Sequence, residues 1–180
     1  MKVVGIDLAG KEENPTGFAV LEGRRINTRI VGSDERIRAL CEDLKPKLVA
    51  VDAPLGFPSE GNLRKADSEL ISRGYRVLPP TLGGMSDLTA RGGELSRRLE
   101  EDRLKVIEVH PITSARILFG SKEIGVFLDR LREKGWGINA GDDEHERDSV
   151  AAAYTGYLHE KGRTEEVGEE GDSIVIPRPR

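Results

Sequence analysis

The sequence predicts an α/β domain built on a mixed sheet, in which an antiparallel three-strand meander is followed by parallel strands and flanked by helices. Strand-like runs in 2–10, 16–21 and 25–31 are joined by short polar loops, and strands joined in that way pair antiparallel. A helical pattern at 34–44 then precedes a fourth strand at 48–52, which should run parallel to the first. The 180 residues suit one domain spanning 1–180, and neither a repeat nor a linker divides them.

Each early element has a local reason. Residues 3–6 are apolar and β-branched apart from one glycine, which is typical of a strand buried on both faces. Residues 26–30 alternate, which indicates a strand with one face in water. Ser33 is placed to cap the first helix, and Pro46 follows its end.

The second half is predicted to be mostly helical around two further strands. Helices are expected at 62–73, 86–103 with an interruption at Gly92 and Gly93, 112–119, 123–133 and 143–160, and strands at 105–109 and 173–176. The polar, acidic, glycine-containing stretch at about 161–172 predicts a mobile segment. The strand after it is expected to lie at an edge of the sheet.

Composition excludes several classes of protein. Net charge is −4, so the chain is not an obvious nucleic-acid binder, although local basic patches stay possible. The single cysteine, Cys41, rules out an internal disulfide and argues against a cysteine-based zinc site. No signal-peptide pattern and no apolar run of membrane-spanning length are present, which predicts a soluble, cytoplasmic protein with no membrane partner.

Acidic residues recur where strands end. Asp7, Asp52 and Glu108 each close a strand-like run, and ligands of open α/β sheets bind outside the carboxyl ends of parallel strands. A fourth acid, Asp148, lies in the last long helix beside small residues that would let this helix pack close to the sheet. If the helix crosses the strand ends, all four acids meet at one edge.

Such a cluster suits a hard divalent cation. Magnesium takes oxygen ligands and is held by a few carboxylates together with water and substrate phosphate. Four acids without cysteine favour Mg²⁺ or Mn²⁺ over zinc, and phosphodiester hydrolysis is the chemistry that needs them. We predict Asp7 as the bridging ligand, with Asp52, Glu108 and Asp148 as the other metal-binding and catalytic residues.

Several short motifs together resemble a known family. GIDLAG followed by TGFAV, then VDAPLGFP, RKAD, EVHP and ERDSVAAAYTGYL, resemble a prokaryotic family of predicted nucleases, domain-of-unknown-function family 429. The resemblance runs from residue 2 to about residue 158 and implies an RNase H-like fold with a carboxylate cluster that binds divalent metal. One departure concerns the acid that RNase H carries on its first helix. No acid of 34–44 is clearly aimed at the site, so Glu108 would fill that role from a strand.

Substrate binding is assigned to four residues near these acids. Arg64 and Asp67, of the R-x-x-D pattern, would grip and orient a phosphate, and Thr16 and His110 complete the set. Each residue also has a structural interpretation. Arg64 and Asp67 are spaced as a local ion pair, Glu108 could pair with an arginine, and Asp148 could be a solvated helix residue. The other two histidines, at 145 and 159, are expected at the surface.

The best-supported function is therefore a metal-dependent nuclease or phosphoesterase. Its partner would be a nucleic acid or a nucleotide phosphate ester, and the sequence does not distinguish DNA, RNA or a small ester. The alternatives are a phosphotransferase of the actin or sugar-kinase type and a non-catalytic metal- or nucleic-acid-binding module. The first normally needs two such domains around its nucleotide, and 180 residues supply one.

Overall fold

An eight-stranded mixed sheet forms the centre of the molecule in the computed structural model, which describes residues 1–179. The strands are β1 (Lys2–Asp7), β2 (Thr16–Glu22), β3 (Arg25–Val31), β4 (Leu48–Asp52), β5 (Val106–Val109), β6 (Gly137–Asn139), β7 (Thr164–Glu169) and β8 (Asp172–Pro177). Their order across the sheet is β6-β3-β2-β1-β4-β5-β8-β7.

Six helices cover the sheet in the part of the chain that the structure describes. They are α1 (Asp34–Leu44), α2 (Lys65–Ser72), α3 (Gly84–Glu101), α4 (Pro111–Phe119), α5 (Ile124–Glu133) and α6 (Glu144–Glu160). Within residues 1–179, no helix combines the length and the apolar character needed to cross a membrane.

The pairing of the strands confirms the predicted mixed topology. β1, β2 and β3 form an antiparallel meander, and β4 pairs parallel with β1 on the other side. β5 and then β8 continue the parallel set. The carboxyl ends of β1, β4 and β5 therefore lie along one edge of the sheet, where a ligand site is expected.

Both faces of β1 are buried, as its apolar run predicted. Val3 packs into the core under α6, whereas Val4 and Ile6 belong to the core on the opposite face, under α1 and α3. All three side chains are fully buried. The strand that carries Asp7 is thus fixed from both sides, and so is the position of that carboxylate.

Helix α6 lies unusually close to the sheet. A β-carbon on Gly5 would stand 2.2 Å from the backbone nitrogen of Ala153, and one on Gly17 would stand 1.8 Å from the carbonyl oxygen of His145. Only glycine leaves room for a helix backbone at such distances. Consequently the first turns of α6 cross the end of β1, which is the placement that Asp148 needed to join the other acids.

Two local predictions for the last part of the chain were wrong. Where a mobile segment was expected at 161–172, β7 pairs with β8, because Val167 packs with Ile174 and Ile176 in a small core over α2. β8 is accordingly an inner strand and β7 is the edge. Strand β6, which the expected elements did not include, pairs parallel with β3.

Helix α3 also continues through its two glycines without the interruption expected there. A β-carbon on Gly92 would stand 2.6 Å from the carbonyl oxygen of Pro54, and one on Gly93 would stand 3.0 Å from that of Leu55. The glycines therefore admit the loop that follows β4 rather than break the helix.

Candidate active site at the ends of β1 and β4

Asp7 and Asp52 occupy equivalent positions on neighbouring strands. They are direct partners in the parallel register of β1 and β4, and adjacent strands lie about 4.8 Å apart. Each is the last residue of its strand, so both carboxylates emerge together at the edge of the sheet.

The first turns of α6 add two more titratable groups. His145 Nδ1 lies 2.7 Å from Asp7 Oδ2, and the two form a hydrogen bond. Asp148 is three residues further along the same helix face, and its charge raises the pKa of Asp52, which places it in the same electrostatic cluster. We call Asp7, Asp52, His145 and Asp148 the acid cluster.

The acid cluster is short of positive charge. Burial raises the pKa of Asp7 to about 6, against the opposing effect of its bond to His145. Burial, then the charge of Asp7, raises the pKa of Asp148 to about 7. Burial, followed by the charges of Asp7, Asp148 and Glu108, raises the pKa of Asp52 well above its usual range. Within residues 1–179, the side-chain carboxylates of Asp52 and Asp148 accept no hydrogen bond and form no salt bridge.

These shifts predict how stability depends on pH without divalent metal. A raised carboxyl pKa means that the native state binds more protons than the unfolded chain, so the free energy of unfolding falls as pH rises from about 4 to about 7. Asp148→Asn should remove its share, which we expect to be about 2 kcal/mol once solvent screening is allowed for. Urea titrations in EDTA at about pH 5 and pH 8 measure this difference.

The expected result is that the free energy of unfolding falls less from about pH 5 to about pH 8 in Asp148→Asn than in the wild type. Asp43→Asn, an exposed change on α1, serves as the matched control and should track the wild type at both. If stability depends on pH equally in all three proteins, ionisation of Asp148 does not destabilise the native state.

Glu108 is held by an arginine. Its carboxylate receives Arg64 Nη2 at 2.6 Å and Arg64 Nη1 at 2.7 Å, and the backbone N–H of Leu55 at 2.9 Å. The residue is buried at the end of β5, beside Val51 of β4. Glu108 therefore lies next to the acid cluster, and its own charge is matched by a cation.

Arg64 and Asp67 form the buried ion pair that their spacing allowed. Arg64 Nε and Nη2 donate to the Asp67 carboxylate at 3.0 and 2.8 Å, and Nη1 also reaches Asp172 at 3.2 Å. The side chains of Arg64 and Asp67 are 1% and 0% exposed. The R-x-x-D pattern thus joins the start of α2 to β5 and β8.

Thr16 and His110 also make contacts within the protein. Thr16 is fully buried and its hydroxyl accepts the N–H of Ala9 at 3.1 Å, which fixes the loop after β1. Arg91 braces the same loop by donating to the carbonyl oxygen of Ala9. His110 Nδ1 lies 2.7 Å from Thr113 Oγ1, and burial lowers the pKa of this histidine to about 4, so the ring is neutral at pH 7.

A cavity of about 390 Å³ opens over the strand ends, and we call it the acid cavity. Its polar lining contains the predicted residues Asp7, Asp52, Arg64, Asp67, Glu108 and His110. Its apolar wall includes Leu78, Met85 and Ile112. Asp148 lines an adjoining cavity of about 330 Å³, which shares Ile112 with the first, and Thr16 lines neither cavity.

Sequence reasoning missed His145 and Arg91. His145 was expected at the surface, and it lies in the strongly charged run DDEHERD. Its spacing to Asp148, three residues on one helix face, was the available signal. Arg91 offered none, since its partners Asp34, Ala9 and Gly32 are distant in the sequence.

Comparison with solved structures identifies the fold. The chain is similar to Thermus thermophilus RuvC, with 14% identity and a TM-score of 0.55, over 98% of this chain and 100% of that one. It is also similar to T. thermophilus RuvC in complex with Holliday junction substrate, with 16% identity and a TM-score of 0.55, over 90% and 96% of the two chains. These likenesses show the RNase H-like fold that the resemblance implied.

A search of curated proteins found no match. A family model, described as "Protein of unknown function (DUF429)", matches residues 5–126, which is more than half of the chain. The protein therefore belongs to the DUF429 family, and it has the RNase H-like fold of its structural neighbours.

Proposed function

We propose that this protein is a divalent-metal-dependent nuclease whose active centre is the acid cluster. The observation that carries the proposal is that Asp7 and Asp52 are register partners at the ends of parallel strands, and that Asp148 of α6 interacts electrostatically with both. All three carboxylates have raised pKa values. Raised carboxylate pKa values in a cleft are typical of functional sites. The RuvC neighbour was solved with a Holliday junction substrate, which supports a nucleic-acid substrate here.

The donor set fits a hard divalent cation. Carboxylates that repel one another and lack cationic partners gain most from a bound positive charge, and oxygen ligands suit Mg²⁺ or Mn²⁺. Within residues 1–179, no three His, Cys, Asp or Glu side chains already surround a single metal position. Oxygen atoms of water or substrate would therefore complete the coordination of a cation that Asp7, Asp52 and Asp148 hold.

Bound there, such a cation supplies Lewis-acid stabilisation of the negative charge that develops on the phosphate. His145 would donate or accept a proton during cleavage. Its Nδ1 is fixed by Asp7, and its side chain is 39% exposed and so accessible to substrate or water. Burial lowers the pKa of His145, but the hydrogen bond and the charge of Asp7 outweigh it, so the net shift is upward and favours the protonated ring.

Glu108 and Arg64 would act as positioning residues. All three guanidinium nitrogens of Arg64 already donate to carboxylates, so this arginine is not free to grip a phosphate. Through Glu108, it fixes the backbone of Leu55 in the loop that follows Asp52. We therefore revise the predicted role of Arg64 from phosphate contact to support of the loop, and that of Glu108 from metal ligand to anchor.

The test is a cleavage assay on end-labelled single-stranded DNA, duplex DNA, RNA and a four-way junction, in Mg²⁺, Mn²⁺ or EDTA. We expect cleavage of at least one substrate with metal and none with EDTA. Mn²⁺ should also raise the melting temperature at about pH 8, because it binds the native carboxylates. No cleavage and no shift with metal would contradict the proposal, and stabilisation by ATP alone would favour a phosphotransferase.

A further inference from the structure

A third cavity, of about 350 Å³, is lined by three cations, and we call it the basic cavity. Arg76 comes from the loop after α2, Arg116 from α4, and Lys122 from the loop after α4, with Tyr75 and Thr113 between them. The residues that line it include three cations and no acid. In a chain with 32 acidic and 28 basic residues, such a concentration of positive charge is unexpected.

Several other surface arginines already have carboxylate partners. Arg38, Arg73 and Arg97 each form a salt bridge with a carboxylate. Within residues 1–179, by contrast, Arg76, Arg116 and Lys122 form no salt bridge. Their charges are therefore available to an anion from outside.

Arg116 is also held in place by neutral groups. Its Nη1 donates to the carbonyl oxygen of Gly74 at 2.8 Å, and its guanidinium lies 5.5 Å from the centre of the Tyr75 ring. Neither contact cancels the charge, and both restrict the side chain. A cation fixed in this way loses little entropy when it binds a phosphate.

The basic cavity adjoins the acid cluster on two sides. Arg76 and Ile112 line both the basic cavity and the acid cavity. Lys122 and Ile112 line both the basic cavity and the cavity that contains Asp148. Leu78 on the acid cavity and Ile112, which is common to all three cavities, are 46% and 47% exposed and offer apolar contact to a sugar or base.

We propose that the basic cavity binds a phosphate of the same nucleic-acid strand whose neighbouring phosphate lies at the acid cluster, so that the substrate is a polynucleotide rather than a mononucleotide or a small ester. This inference rests on the proposed function. Phosphate contacts position a strand and carry no sequence information, so the cavity sets the register of the strand over the acids. A single phosphate ester would engage only one of the two adjoining sites.

The test measures binding rather than cleavage. Fluorescence anisotropy with a short labelled single strand, as DNA and as RNA, is recorded in Ca²⁺ over a series of salt concentrations. The test variant is Arg76→Ala/Lys122→Ala, two side chains that support no hydrogen bond within residues 1–179. The control is Lys134→Ala/Lys161→Ala, which removes the same charge from exposed positions near the opposite edge of the sheet.

We expect the test variant to bind about tenfold more weakly, with a slope of log K against log salt smaller by about 1.4, as loss of two contacts to a single strand predicts. The control should match the wild type, and a mononucleotide should compete at least 100-fold less well, by an order-of-magnitude estimate, than unlabelled strand. Wild-type protein that does not bind, or a test variant that binds as the control does, would overturn the inference. Because no step requires cleavage, strand binding without cleavage would contradict only the proposed function.

Discussion

Asp7→Asn is expected to lower the rate of metal-dependent phosphodiester cleavage about a thousandfold while the protein stays folded. The carboxylate is the meeting point of the acid cluster, since it pairs with Asp52 in register and bonds to His145. If Asp7 is a metal ligand as proposed, its loss removes several kcal/mol of charge stabilisation, and each 1.36 kcal/mol is a factor of ten. Initial rates in Mn²⁺ on the best substrate measure the effect.

Stability separates this result from simple unfolding. Asn has nearly the shape of Asp and carries no charge, and the raised pKa of Asp7 means that its charge is costly in the metal-free protein. The melting temperature of Asp7→Asn in EDTA should therefore equal or exceed that of the wild type, whereas the rise caused by Mn²⁺ should disappear. Asp43→Asn, exposed on α1, should keep both activity and the Mn²⁺ response. Retained cleavage in Asp7→Asn would exclude the acid cluster as the active centre.

The meander and the parallel strands were predictable because local patterns determine them. β1, β2 and β3 alternate or are continuously apolar, and short loops leave antiparallel pairing as the simple solution. The neighbouring positions of Asp7 and Asp52 followed in turn, since each acid directly ends its strand. The small residues of α6 similarly indicated its close packing on the sheet.

Other features depend on contacts between distant parts of the chain. Arg64 meets Glu108 across 44 positions of sequence, and no local pattern says whether a buried acid will meet a metal or a guanidinium. The hairpin of β7 and β8 was hidden for a related reason. The polar composition of 164–169 indicates a solvated segment, and Val167 becomes a core residue only because α2 lies over it. Propensity yields to tertiary packing in such segments.

Arg64→Met is expected to destabilise the protein by about 3–5 kcal/mol, the cost of breaking a buried ion pair by removing one partner. Arg64 is the shared counter-ion of Asp67 and Glu108, both buried, and Met would leave two carboxylates without a cation. For a chain of this size, the melting temperature should fall by about 6–20 °C. The loss should be smaller in acid than at about pH 7, because the orphaned carboxylates can then take up protons.

Two further variants make the interpretation specific. Arg73→Met breaks exposed pairs with Glu69 and Glu165 just after α2, and should cost no more than about 1 kcal/mol. Adding Asp67→Asn and Glu108→Gln to Arg64→Met removes the orphaned charges and should recover part of the lost stability, because neutral groups are less costly to bury than ions. If Arg64→Met proved no more destabilising than Arg73→Met, Arg64 would not be the essential counter-ion of Glu108. Glu108 would then again be a candidate metal ligand.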